Sequence, residues 1–186
     1  MSYPFLNITV DKRDLERALK ELGAKAPSAI MRALNRTAAS ARTQAVRAVA
    51  KEIRLPQKEV RPSMPIIRAT TKHLEAKLVA RGRPISLMRL GARQTRLGVV
   101  YRGPAGLVLI PSAFIATMPR ARRPSVWKRR GKPRLPITKQ FGPSIPRIVL
   151  DRGIFEAVRA TAQPMLLKNL RQQIDFLLQR SGGHRA

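Results

Sequence analysis

A chain of 186 residues, 44% of them hydrophobic, has enough apolar material for one packed core. Its charge is the anomaly, with 38 Lys and Arg against 10 Asp and Glu for a formal net charge of +28. The absence of cysteine excludes a disulfide framework, a thiol nucleophile and a cysteine zinc site, and no apolar run approaches the ~20 residues of a membrane span.

The first residues, MSYPFLNITVDKRD, show neither the basic region nor the apolar block of a secretory signal, so folding in a cytoplasm is expected. Residues 11–23 predict a short helix, with Asp11 as N-cap, Leu15, Ala18, Leu19 and Leu22 at helical spacing, and Gly23 as stop. Pro27, a first-turn residue, opens a long helix to about Arg54. Its apolar face is Ile30, Leu34, Ala38, Ala41, Ala45, Ala48 and Val49. Arg32, Arg36 and Arg47 fall within about 60° of one another on the opposite side, a second candidate basic face or simply a solvated one. Leu55-Pro56 ends the helix, because the residue before proline is pushed out of the α region. Residues 56–69 carry three prolines and read as a helical turn plus connector.

Strand patterns follow over 74–80, 85–90 and 95–101. Gly103-Pro104-Ala105-Gly106 is turn chemistry before the apolar run of residues 107–110, so 95–110 predicts a β-hairpin. After Phe114-Ile115 comes the densest basic stretch, MPRARRPSVWKRRGKPRLP, residues 118–136. It holds Arg120, Arg122, Arg123, Lys128, Arg129, Arg130, Lys132 and Arg134, no acid, and the only tryptophan, Trp127. Four prolines exclude a helix there and predict a long, loosely paired loop or β-arm. Trp127 reads as an anchor of that arm to the core rather than as a base-stacking platform, since aromatics make up 4% of the chain. A strand over 135–141 and the punctuation Gly142-Pro143-Ser144-Ile145-Pro146 lead to a final helix, about 148–179, kinked or restarted at Pro164. Leu166, Leu167, Leu170, Ile174, Leu177 and Leu178 form its apolar face. The expectation is an α+β fold, long helices packed on a mostly antiparallel β-sheet with an extended basic Pro-rich arm. Its organisation is an N-terminal segment 1–26, one domain over 27–180 and a flexible tail 181–186.

The charge is unevenly spread. Residues 1–75 have 15 Lys/Arg and 7 Asp/Glu, residues 76–150 have 17 and none, and residues 151–186 have 6 and 3. Seventy-five residues without a carboxylate cannot neutralise themselves; they are solvated or they meet something negative. Solubility alone would be served as well by Asp and Glu, so a polyanionic partner is expected. A membrane surface fits poorly, because the basic runs are rich in Pro and Gly rather than amphipathic and helical.

Chemistry is not written in the chain. No Asp-x-Asp or His-Glu-x-x-His spacing occurs, His73 beside Glu75 reads as chance, and His184 lies in the terminal tail. Gly131-Lys132 lacks the first glycine and the hydroxyl of a phosphate-binding loop. No catalytic residue, metal site or cofactor is assigned; a nuclease would have to rely on Glu52, Glu59 or Glu75. The densest charge is not on a helix that could enter a major groove, so contact is expected with phosphates and blind to base sequence.

The blocks ALNRTAASARTQ (33–44), RATTKHLEAKLVARG (68–82), IPSAFIAT (110–117) and VWKRRGKPRLPI (126–137), in this order, resemble the minor tail protein Z family. These are tail completion proteins of long-tailed bacteriophages, and the resemblance covers roughly residues 28–178. It implies a virion component at the head-proximal end of the tail, a subunit of a homo-hexameric ring of α+β fold. Its neighbours would be the tail terminator, tail tube and head connector proteins, and its polyanion genomic DNA or acidic ring neighbours. Composition alone fits a general sequence-independent nucleic-acid-binding protein nearly as well.

Overall fold

Helix α1 (Ala26–Ile53) is the element against which the N-terminal sheet and the C-terminal helices pack. The computed structural model describes residues 3–11, 13, 16, 20, 23–119 and 122–182. Pro27 stands in the first turn of α1, and Arg54 caps its end in the left-handed region at φ 52°. Of its 13 buried residues seven are alanine, which lets neighbours approach from two sides.

One side faces a sheet of β1 (Phe5–Thr9), β3 (Glu75–Val79) and β2 (Ile66–Ile67), antiparallel in the order β1-β3-β2. Leu6 pairs with Leu78 and Ile8 with Ala76, and all four side chains are buried. The strand expected over 74–80 is β3; β1 and β2 were not expected. Between α1 and β2 lies the anticipated helical turn, α2 (Gln57–Val60), continued by a 3-10 turn (Arg61–Ser63). The Asn35 side chain pins the next connector to α1. Its Nδ2 donates to the Ala69 carbonyl (3.0 Å) and its Oδ1 accepts from the Ala69 N–H (2.9 Å).

The other side of α1 takes helix α4 (Ile154–Gly182), antiparallel to it and joined by three polar rungs. Asn169 Nδ2 donates to Thr37 Oγ1 (2.9 Å), Arg36 to Gln172 Oε1 (3.3 Å) and Thr161 Oγ1 to Gln44 Oε1 (2.6 Å). Helix α3 (Ile145–Asp151) precedes it, capped by the Ser144 hydroxyl, which accepts from the Arg147 N–H. The expected single helix from 148 is thus two. It starts at Ile145 and breaks at Gly153 (φ +56°), not at Pro164, which lies inside helix α4. Pro164 and Ala160 are both exposed, so water can serve the carbonyl that proline leaves without a donor. Leu166, Leu170 and Ile174 are buried as expected, whereas Leu167 and Leu178 are exposed and Leu177 only half-buried.

Residues 87–140 form two further antiparallel sheets. The first is β4 (Arg93–Gln94), β5 (Gly98–Gly103) and β6 (Gly106–Pro111), and the second β7 (Ala113–Ala116), β8 (Ser125–Arg129) and β9 (Ile137–Lys139), each in chain order. The predicted hairpin is present, but its first strand starts at Gly98. Residues 85–90 are not a strand: Leu87–Leu90 is a 3-10 turn that buries Leu87 and Leu90 and ends at Gly91 (φ +70°). Period three, not two, places those leucines inside. Where this segment leaves and rejoins the rest, the chain is paired with itself. Gly142 N–H donates to Ile85 O (2.8 Å), Ile85 N–H to Pro143 O (3.2 Å), and Ser86 bridges Phe141. A single core cluster runs from Leu6 to Ile174.

Of the helix expected over 11–23, Leu15, Ala18, Leu19 and Leu22 lie outside the described residues, as do residues 183–186 of the expected tail. Gly23 opens a 3-10 turn (Gly23–Lys25).

Candidate polyanion-binding surface

The basic stretch takes the form of a β-arm whose middle is β8, the central strand of its sheet. Residues directly opposite on neighbouring strands share a face. Phe114, Trp127 and Lys139 are opposite one another in register, and Arg129 and Ile137 follow on the same face. On the other face Ala113 and Val126 are buried, and Lys128, opposite Ala113, is half-buried. Trp127 is half-buried and donates from Nε1 to the Ala116 carbonyl (3.1 Å), so its N–H is used within the fold. The Arg129 guanidinium lies 5.8 Å from the Phe114 ring centroid and the Lys139 ammonium 5.3 Å from that of Phe141. Each ring orients a cation that remains exposed.

Lys128 and Arg129 share a cleft of about 600 Å³ with Lys132 from the β8–β9 loop and Arg96 from the β4–β5 turn. Gln94 ties the two sheets together beside it, its Nε2 donating to Ala113 O (3.2 Å) and its Oε1 accepting from the Ile115 N–H (2.8 Å). Four cations line this cleft, and none of its described lining residues is a carboxylate. The described ion pairs are Lys77–Glu75, Arg89–Glu59, Arg147–Asp151 and Arg152–Glu52. Among the described residues, no carboxylate pairs with any Lys or Arg between 93 and 139.

The predicted residues do not converge on one spot. Arg122 and Arg123 are exposed before β8, and Arg130, Lys132 and Arg134 are exposed after it, separated by a strand about 13 Å long. Arg120 lies outside the described residues. On α1, Arg32 and Arg47 are exposed, but Arg36 between them is engaged with Gln172 at the α4 rim. Arg96 and Lys139 were not singled out from sequence; both belong to the carboxylate-free run, but neither lies in its densest part. Arg42 was also missed. Its Nη2 donates to Arg61 O (2.9 Å) and its buried Nε has no partner among the described residues; burial, then the Arg61 charge, lowers its pKa.

Glu52, Glu59 and Glu75 sit on three different elements, each in one of the ion pairs above. Among the described residues no group of three or more His, Cys, Asp or Glu could hold a metal, and no helix is long and apolar enough to cross a membrane.

Comparison with curated proteins and with solved structures gave no match. The family described as prophage minor tail protein Z matches residues 14–181, from before α1 almost to the end of α4. Nine-tenths of the chain is covered, including the Asn35 clamp, the α1–α4 rungs and the whole basic sheet. The chain therefore belongs to the prophage minor tail protein Z family, and its role is that of a structural protein of the bacteriophage tail.

Proposed function

We propose that the protein completes the tail at its head-proximal end, as a subunit of a homo-hexameric ring among the terminator, tube and connector proteins. Its basic surface meets genomic DNA or the acidic surfaces of ring neighbours. The observation that supports this is the missing counter-charge: cations from 93 to 139 stand without carboxylate partners among the described residues, while Glu52, Glu59, Glu75 and Asp151 elsewhere are all paired. A ring would multiply that imbalance sixfold, which is tolerable only with phosphate or carboxylate close by. Contact through Arg and Lys on loops and a strand is phosphate-type and positions without reading sequence.

The test is replacement of Arg122, Arg123, Arg129 and Arg130 together by Ser. All four are exposed, so the purified protein should keep its fold. Particles carrying it should be defective in the connection to DNA; particles of undiminished infectivity would refute the proposal. A general nucleic-acid binder would instead grip short duplexes tightly without any assembly, with a log–log salt slope of about −0.9 per phosphate neutralised.

A further inference from the structure

Strand β6, GLVLIP, is the outer strand of its sheet and has no charged residue. Leu107 is 76% exposed, Val108 36% and Leu109 42%, and Leu97 in the nearby β4–β5 turn is 73% exposed. The edge is also open in its backbone. Gly103 pairs with Gly106 across the two-residue turn Pro104-Ala105, so the bonded pairs of the ladder are Gly103–Gly106, Tyr101–Val108 and Val99–Ile110. The N–H and C=O groups of Leu107 and Leu109 therefore point away from β5, and no other backbone bond engages them among the described residues. Folded proteins guard such edges with charge, bulges or a covering segment. This one, in a chain of net charge +28, carries only Pro111 at its end.

Both ends of the strand open onto cations. At its start Lys51, Arg54 and Arg102 line a cleft of about 410 Å³ with Leu107; the one carboxylate there, Glu52, is taken by Arg152. Just past its end, Ser112 lies on the cleft of Arg96, Lys128, Arg129 and Lys132. The order along the edge is cation, apolar ladder, cation, over about 17 Å for six residues.

We propose that β6 accepts an extended segment of another protein as an added strand, apolar at its centre and acidic at both ends. Main-chain bonds to Leu107 and Leu109 supply the ladder and the flanking cations select the occupant. A second copy of this chain is disfavoured, because edge-to-edge pairing would bring two carboxylate-free segments together. The inference goes beyond the proposed function, which concerns the charges alone.

The probe is a synthetic peptide with an alternating valine–threonine centre and paired glutamates at each end, titrated onto the full chain. It should bind, and N-methylation of the alternate amides facing β6 should weaken it by about tenfold or more, since only a ladder needs those groups. A lysine-flanked peptide should not bind. Leu109→Pro removes an N–H that the fold does not use and should keep the melting transition while losing the peptide. It should leave affinity for duplex DNA within about twofold, so that failure here and failure of the basic-surface reading remain distinguishable. Equal binding of the methylated peptide, equal binding of the lysine-flanked one, or self-association abolished by Leu109→Pro would each overturn the proposal.

Discussion

Gly98 closes the β4–β5 turn, at φ +150°, and a Cβ there would run into the Ile110 carbonyl oxygen and lie 3.0 Å from Ser112 N. Around it Thr95 N–H donates to Gly98 O (2.7 Å), as does the Thr95 hydroxyl (2.9 Å), which fixes the turn carrying Arg96. Gly98→Ala must therefore move backbone rather than a side-chain tip. We expect it to lower the unfolding free energy in urea by more than about 2 kcal/mol. It should also weaken polyanion binding by displacing Arg96; an unchanged denaturation midpoint would show that the turn has slack. At this scale the sequence displays what is local. The expected anchoring of the arm to the core by Trp127 is not what the fold shows: the half-buried indole lies outside the core cluster, on the face opposite Ala113 and Val126, and its N–H ties β8 to β7 within the arm. Arg96 and Lys139 are not readable as partners of that run, because strand pairing brings them there. The unpartnered Nε of Arg42 is equally invisible, since nothing in the spelling of α1 says that Arg61 will fold over it.

The α1–α4 pair depends on small residues and a few polar rungs. Asn169 and Thr37 are buried, and Thr37 Oγ1 passes the chain of bonds on to the Ala33 carbonyl (2.9 Å). Thr37→Val keeps the shape but strands the Asn169 amide in the interior, at a cost of about 1–3 kcal/mol. Adding Asn169→Leu should recover part of that loss, because an apolar pair needs no partner. Equilibrium unfolding of the two single variants and the double gives the coupling; strict additivity would mean that the rung contributes no more than packing. The helix bounds of α1 are legible because Pro27 and Leu55-Pro56 act on their own backbone. Strands β2 and β4, of two residues each, are too short to show any period. Ile85 and Leu87 alternate well enough to imitate a strand, and only tertiary contact with Gly142, whose missing Cβ leaves room for Leu90, reveals the 3-10 turn. At the last helix the break went to Gly153, where backbone freedom outweighed the missing donor of Pro164.

Across the whole molecule, like charge opposes compactness. Raising sodium chloride from about 0.01 M to about 1 M shortens the screening length from roughly 30 Å to roughly 3 Å. The melting temperature should rise over that range, and rise at lower concentration with a polyanion such as heparin. A melting temperature that fell with salt would mean that the four ion pairs outweigh the repulsion. The excess charge, the antiparallel sheets and the α+β class were all readable from totals and patterning, because they are sums over many residues. How the sheets divide into three, and which edge is left open, depends on pairings between distant strands and is not.

The self-paired crossing at Ile85–Ser86 and Phe141–Pro143 has a consequence of its own. The intervening loop, residues 87–140, has 13 of the 38 basic residues and none of the acids, and its two ends are stitched side by side. Such a segment behaves as a graft on a stock: its length and cargo can change without re-routing the chain on either side. One crossing therefore joins the helical part to the segment rich in cations, so an insertion at a turn within residues 87–140 need not alter how the helices are connected.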